Sequence, residues 1–438
     1  MSPTANFMQK EQTVAAALPW LADAALLEKQ KSPPWLRALR ETGAEQFAQT
    51  GLPTTAREGW QHTNLRPLTS IKFHYSTEAV KFDARKLPQK LLEQSDCIVL
   101  VNGQYQPHLS TIPDGITVMS LMEAAEKKVE GLEEYIVSLG DLQEAPLKAL
   151  NTAYVRDGIV LKVQAGKEIR RPLEILLYNT GNSSHAPAIY PRILYCLGDN
   201  STLTLLERHT GEGVYLANSY TGVVQESSSC LKMYKFEEES CAAYHFSFFS
   251  LQQHKDSIFE GFSCATGGQV VREEYQNQLI DSGISSSLNG VYLLQGRQSH
   301  DFAVLMDHFG PDGKSAQHFR GVIDDQARAI FQGKIHVRRS AQKTDGHQSG
   351  RALLLSDQAE ADFKPELEIY ADDVKCGHDA ASGHLDEAAL FYLQSRGISK
   401  AEARALLIQS FLNAALEHVT FAPVKKVYEE RIRLWLAR

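Results

Sequence analysis

The sequence predicts a mainly β chain with a helical region at each end. Between about residues 95 and 380, short runs alternate apolar and polar residues at the two-residue period of a strand. Small or polar clusters separate these runs, and no helical stripe intervenes over roughly two hundred residues, which disfavours a sheet built from βαβ units. At both ends the apolar period lengthens to that of a helix.

Residues 1–92 form the predicted N-terminal helical region. Trp20, Leu21, Ala24, Ala25 and Leu26 fall at helical spacing, as do Trp35, Leu36 and Leu39. Pro33-Pro34 separates the two segments, and Pro34 is placed to open the second.

Residues 93–382 form the predicted β core. Strand runs include Val160-Leu161-Lys162-Val163, Leu173 to Tyr178, and Thr202 to Leu206. Turn clusters include Gly198 to Ser201, Glu226 to Ser229, Gly267-Gly268, Ser282-Gly283, Gly313 to Ser315 and Asp324-Asp325. A sandwich, a barrel and a β-solenoid all fit this texture. The loosely recurring turns favour the solenoid, in which each coil buries its inner face against the next.

Residues 383–438 return to helix. Leu390, Phe391 and Leu393 lie on a helix ended by Gly397; Ser399 caps the next, with Glu402 completing a capping box. Leu407, Phe411, Ala414 and His418 are read as the face of that helix. Val424, Tyr428, Ile432 and Trp435 form the face of the last one, with Lys425 and Glu429 paired on its flank.

Composition removes several classes of function. The formal charge of −8 argues against general nucleic-acid binding, which needs clustered Lys and Arg. No apolar run reaches the length of a membrane span. The run Ala15 to Leu27 is broken by Asp23 and lacks a basic leader, so no secretory signal is expected. Cys97, Cys196, Cys230, Cys241, Cys264 and Cys376 contain no CxxC pair and do not read as a disulfide framework, so the expected compartment is the cytoplasm. Gly310-Pro311-Asp312-Gly313-Lys314-Ser315 imitates a P-loop, but the position of the first required glycine is His308, and a turn is the better reading. GxGxxG, GxSxG and HExxH do not occur.

The most unusual segment is Glu366 to Asp386. In an extended chain Cys376 and His378 leave the same face, and a thiolate with an imidazole can hold a soft or borderline metal. Two ligands do not complete a site, which suggests one that is shared or transient. Lys375 could lower the Cys376 pKa, and His347 and His384 could add ligands. Against this, C-x-H is a weak pattern, and a single buried cysteine is more often a small apolar core residue.

Residues 342–397, QKTDGHQSGRALLLSDQAEADFKPELEIYADDVKCGHDAASGHLDEAALFYLQSRG, resemble the C-terminal core of the SufB/SufD family. Arg328-Ala329-Ile330-Phe331-Gln332-Gly333 resembles that family's R-A-x-F-x-G turn. Gly51-Leu52-Pro53-Thr54 with Glu58-Gly59-Trp60-Gln61-His62-Thr63 is similar to its N-terminal element. The Asp-Val-Lys-Cys-x-His form is that of the SufD-like branch. Gly377, Asp379 and Ala381 depart from the usual CSHGAT, and His62 replaces a usual Tyr.

The resemblance implies a right-handed parallel β-helix flanked by helices. It further implies a non-ATPase scaffold subunit of a Suf iron–sulfur cluster assembly complex. That subunit would pair with a SufB-like paralogue through the β-helix ends and dock a SufC-like ATPase on the C-terminal helices, with self-association when isolated. Cys376 and His378 would face the SufB interface, contributing to a transient cluster or iron shared with SufB and not tightly bound by the isolated chain. His378 would be the stronger iron ligand, and ATP hydrolysis and sulfur acceptance would belong to the other subunits.

Two other readings compete. A polysaccharide-active enzyme on a β-helix would need exposed carboxylates along a groove, for which Asp324-Asp325 and Asp372-Asp373 are the candidate pairs, both read as turns. A self-contained metalloprotein would use Cys376 and His378 with His347, His384 or both.

Overall fold

The computed structural model describes residue 17, residues 19–137, residue 142 and residues 145–437. Of the apolar run from Ala15 to Leu27, Ala15, Ala16 and Leu18 lie outside the described residues, as do Lys10 and Glu11 before it.

Two sheets, of eleven and ten strands, make the core. The eleven-stranded sheet runs from Ile116–Ser120 to Glu360–Ile369, and the ten-stranded sheet from Gln104–Tyr105 to Lys375–Gly383. From Thr202 onward successive strands fall alternately on the two sheets, and each pairs in parallel with the strand two places away. The chain therefore coils, leaving one strand on each sheet per coil. This is the parallel β-solenoid; the sandwich and the barrel are set aside.

Between the sheets lies an apolar filling that includes Leu203, Leu231 and Phe259, stacked in register from coil to coil. Further along, the rings of Tyr292, Phe302, Phe319 and Phe331 stack at 5.3, 5.6 and 4.8 Å between centroids. Gly321 makes room for this ladder, because a Cβ there would fall 1.7 Å from the Tyr292 ring.

One corner of each coil repeats a single backbone device. Asn200, Ser228, Asp256, Asp312 and Lys343 have φ between 56° and 60°, and Gly283 has 73°. Each donates its N–H to a carbonyl of the next coil's turn, from Asn200 to Ser227 (2.9 Å) through Lys343 to Asp373 (2.6 Å). Short polar side chains and glycine tolerate this left-handed conformation best.

Helices cover the outer faces. Pro34–Thr50 (α1), opened by Pro34 as expected, and Pro146–Ala153 (α2) pack with Trp60, Leu65 and Tyr75 over Tyr220, Phe246 and Phe248 of the eleven-stranded sheet. Helix α2 falls within the region read as strand. All eight of its residues are buried, and although Lys148, Asn151 and Thr152 mark a polar face, the helix is shorter than the window over which a helical period is read. Residues 51–92, expected to be helical, are mainly turns and short 3₁₀ segments, with Pro53, Gly59 and Pro67 interrupting the period.

The C-terminal helices are Glu387–Ser395 (α3), Lys400–Leu416 (α4) and Ala422–Leu436 (α5). Gly397 follows α3 with φ 86°, and the Ser399–Glu402 capping box opens α4. Helix α5 buries Val424, Tyr428, Ile432 and Trp435 on the outer face of the ten-stranded sheet, as its spacing predicts. Helix α4 instead buries Ala403, Ile408, Leu412, Ala415 and Leu416, one position away from the Leu407–His418 stripe read from sequence. Leu406, Leu407 and Phe411 make that helix apolar on nearly every side, so the period alone does not select a face. The flank pair on α5 is Glu430 with Arg433 (2.7 Å), not Lys425 with Glu429.

Candidate functional site

The solenoid ends in an open coil. Strand Glu360–Ile369 closes one sheet order and Lys375–Gly383 the other, so each presents an outer edge with no strand against it among the described residues. Such an edge is a row of backbone donors and acceptors ready for another strand.

Cys376 and His378 lie on the second of these edges. Gly346 pairs in register with Cys376, His347 with Gly377, and Gln348 with His378. Alternation along the strand puts Cys376 and His378 on one face, shared with the buried Gln348, as their spacing predicts. Cys376 is half-buried against the apolar end of the core, packed with Ile335, Val337, Leu367 and Val374. His378 is exposed on the open coil.

The electrostatics differ from expectation. Burial pushes the Cys376 thiol up; the Gly346 backbone N–H pulls it down, and Asp345 pushes it up again. Lys375 does not produce the expected lowering, because adjacent strand residues point to opposite faces. For the same reason His347, in register with Gly377, stands on the outer face, with its Nε2 3.1 Å from Asp345. His384 lies past the strand, its Nδ1 3.2 Å from the Leu354 carbonyl. The structure thus places Cys376 and His378 on one face of the strand and brings neither His347 nor His384 to that face.

The other sequence candidates resolve as framework. Gly310 to Ser315 is a solenoid turn leading into strand Lys314–Ile323, where the buried His308 Nε2 lies 2.8 Å from the Ser315 hydroxyl. Asp324-Asp325 and Asp372-Asp373 occupy turns, and Asp324 faces Arg404 of α4 at 3.4 Å. The two outlying motifs meet in space. Arg272 stacks over the Trp60 ring at 4.0 Å, donates to the Gly59 carbonyl at 2.8 Å and pairs with buried Asp301. His62 lies 3.1 Å from Arg328 and 3.4 Å from Asp362. The segment Glu58–Thr63 is therefore a clamp on the solenoid side.

One group of donors was passed over in the sequence reading. His209, Glu237, Glu239 and His245 converge inside the solenoid, all fully buried. The signal was the charged group Lys235, Glu237, Glu238 and Glu239 at the end of the strand Cys230–Glu238, whose other residues include Leu231, Met233, Tyr234 and Phe236.

The fold and the open, Cys/His-bearing last coil define a parallel β-solenoid protein with helical flanks on both sheets. The chain belongs to the SufBD family: residues 179–411 match the SUF system FeS cluster assembly SufBD core domain, and residues 20–175 the SufBD protein N-terminal region. It is similar to an iron–sulfur cluster assembly SufBD family protein of Synechocystis, 27% identical with 88% of each chain covered. It is also similar to the iron–sulfur cluster assembly protein SufD of Escherichia coli, 27% identical over 84% of this chain and 85% of that one. The SufD of Bacillus subtilis is 27% identical over 91% and 93%. Among the described residues, no helix is long and apolar enough to cross a membrane.

Proposed function

We propose that this chain is the SufD-like, non-ATPase scaffold subunit of a cytoplasmic Suf iron–sulfur cluster assembly complex, without turnover of its own. A SufB-like paralogue adds to the open last coil, and Cys376 with His378 contributes to the iron or nascent cluster held between the two subunits. A SufC-like ATPase binds the C-terminal helices. Without its paralogue, a second copy of the chain takes the open edge.

The observation that carries this reading is the placement of Cys376 and His378 on one face of a terminal strand whose outer edge has no strand against it among the described residues. A partner strand there would extend the sheet and supply the ligands that two residues lack. The ATPase contact is supported by α3, which buries none of its residues and exposes Phe391 (73%) and Tyr392 (56%). Large exposed aromatics on one helix suit a protein interface.

Anaerobic co-expression with SufB- and SufC-like proteins, followed by native mass spectrometry, tests the proposal. A ternary assembly is expected. If the chain remains apart from both partners, the scaffold reading falls.

A further inference from the structure

Near the first full coils of the solenoid, four donors meet at one corner. His209 belongs to strand Thr202–Glu212 and Glu237 to its neighbour Cys230–Glu238, and the two are in register. Glu239 follows at the corner, and His245 is the second residue of the strand Tyr244–Gln253 on the other sheet. One donor atom from each residue lies within 4.8 Å of all the others. Their relative exposures are 2% or less.

Several of these side chains are held in place from behind. Glu239 accepts hydrogen bonds from Asn179 (3.0 Å) and from the Tyr215 hydroxyl. The His209 ring is anchored through Nε2 to Glu207 at 2.8 Å, and Glu207 in turn accepts from Tyr195 at 3.0 Å. A carboxylate behind an imidazole is the usual way to orient a metal-ligating histidine.

Two atoms at the centre are left over. Glu237 Oε2 and His245 Nε2 have no hydrogen-bond partner, although both residues are completely buried. They face each other at 3.5 Å, and His245 Nδ1 lies 3.4 Å from Glu239. Buried polar atoms are almost always hydrogen-bonded, and here two are left with only a long ion-pair contact to each other, a gap that an ion bound between them would close.

Charge count points the same way. Glu207, Glu237, Glu239 and Glu273 are buried together, whereas Lys235 is the ammonium that faces them, 2.7 Å from Glu273. Buried carboxylates in excess of cations are normally neutralised by protons or by a metal ion.

We propose that His209, Glu237, Glu239 and His245 form a resident site for a divalent first-row transition ion of the Zn²⁺ or Fe²⁺ class. Two imidazoles and two carboxylates are borderline-to-hard donors suited to these ions, and tetrahedral donors about 2.0–2.2 Å from a metal stand about 3.4 Å apart, so side-chain rotation would have to draw this cluster in by up to roughly 1.4 Å. The site is separate from the last coil and does not rest on the role proposed for Cys376 and His378. Its burial requires the ion to enter while the coils close.

The test uses the full chain refolded anaerobically with Co²⁺, desalted, and read for cobalt content and visible d–d absorption. Stoichiometric cobalt is expected, and it should persist when Cys376→Ser and His378→Ala are combined. Glu237→Gln and His245→Gln, which keep the approximate size of the side chains, should lower retained cobalt at least about tenfold. Should either variant fail to fold, thermal unfolding of the unmodified chain decides: a higher Tm with Co²⁺ than with Mg²⁺ supports the site. An equal Tm, absence of retained cobalt, or cobalt that follows Cys376 rather than Glu237 overturns it.

Discussion

The imidazoles of His318 and His418 stack with their centroids 4.7 Å apart and their planes 8° from parallel, joining strand Lys314–Ile323 to the end of α4. Burial holds His318 down to about 4, with His418, His347 and Arg320 adding to the depression and Asp379 opposing it. Burial likewise lowers His418, which faces Glu417 and Arg320. Both docked values lie below the ordinary histidine value of about 6.5. Between those limits the detached state binds more protons, so docking is complete above about pH 6.5 and weakens as pH falls toward 4. Hydrogen exchange over residues 400–436 should rise across that window in the unmodified chain and change less in His418→Gln. A flat profile in the unmodified chain would remove the histidine pair as the cause.

Docking of α5 should depend most on Tyr428. Its ring lies 4.4 Å from that of Phe236 and 5.0 Å from that of Phe262, and its hydroxyl reaches the carbonyls of Lys235 (3.1 Å) and Phe262 (3.2 Å). Tyr428→Phe removes the hydroxyl alone and should cost about 1 kcal/mol. Tyr428→Ala also opens a cavity and should cost about 3–5 kcal/mol. Urea unfolding gives both values, and a cost below about 1 kcal/mol for the alanine variant would mean that the helix is held elsewhere.

Legibility in the sequence followed how polarity maps onto the inside and outside of the fold. Helix α5 was readable because Val424, Tyr428, Ile432 and Trp435 are apolar among charged neighbours. The shared face of Cys376 and His378 was readable because strand alternation depends on spacing alone. In strand Cys230–Glu238 the usual rule inverts. Tyr234 and Phe236 point outward under α5, while Lys235 and Glu237 point into the core. Reading polar as outward therefore conceals the Glu/His cluster.

The solenoid repeat was hidden in a different way. Its corners require a left-handed residue and a backbone N–H at the same place in successive coils, and Asn200, Ser228, Asp256, Gly283, Asp312 and Lys343 all satisfy that requirement. The conformation recurs although the residue type does not, so a search for identical residues misses it.

Arg272 should be the residue on which the N-terminal clamp depends. Its guanidinium pairs with Glu274 (2.6 Å) and with Asp301, which is 1% exposed, while covering Trp60. Arg272→Ala strands a buried carboxylate and should cost about 3–5 kcal/mol, whereas adding Asp301→Ala should recover part of the loss. Arg272→Lys should rescue poorly, since an ammonium cannot reproduce the planar fork. Protease susceptibility of residues 51–75 alongside a thermal melt separates loss of the clamp from global unfolding. If Arg272→Lys matched the unmodified chain, the fork geometry would be irrelevant.

Cys376 and His378 make the opposite prediction, function lost without stability. His378 is exposed, and Cys376 sits half-buried on a coil that no later strand covers among the described residues. Cys376→Ala combined with His378→Ala therefore removes little packed surface and should shift unfolding by about 1 kcal/mol or less. The same variant, purified anaerobically with SufB- and SufC-like partners, should assemble normally yet carry less iron and sulfide than the unmodified complex. Assembly should survive because the edge offers backbone donors and acceptors that neither substitution removes. Loss of folding would return both residues to the core, and unchanged cluster content in an intact assembly would place the ligands wholly on the partner.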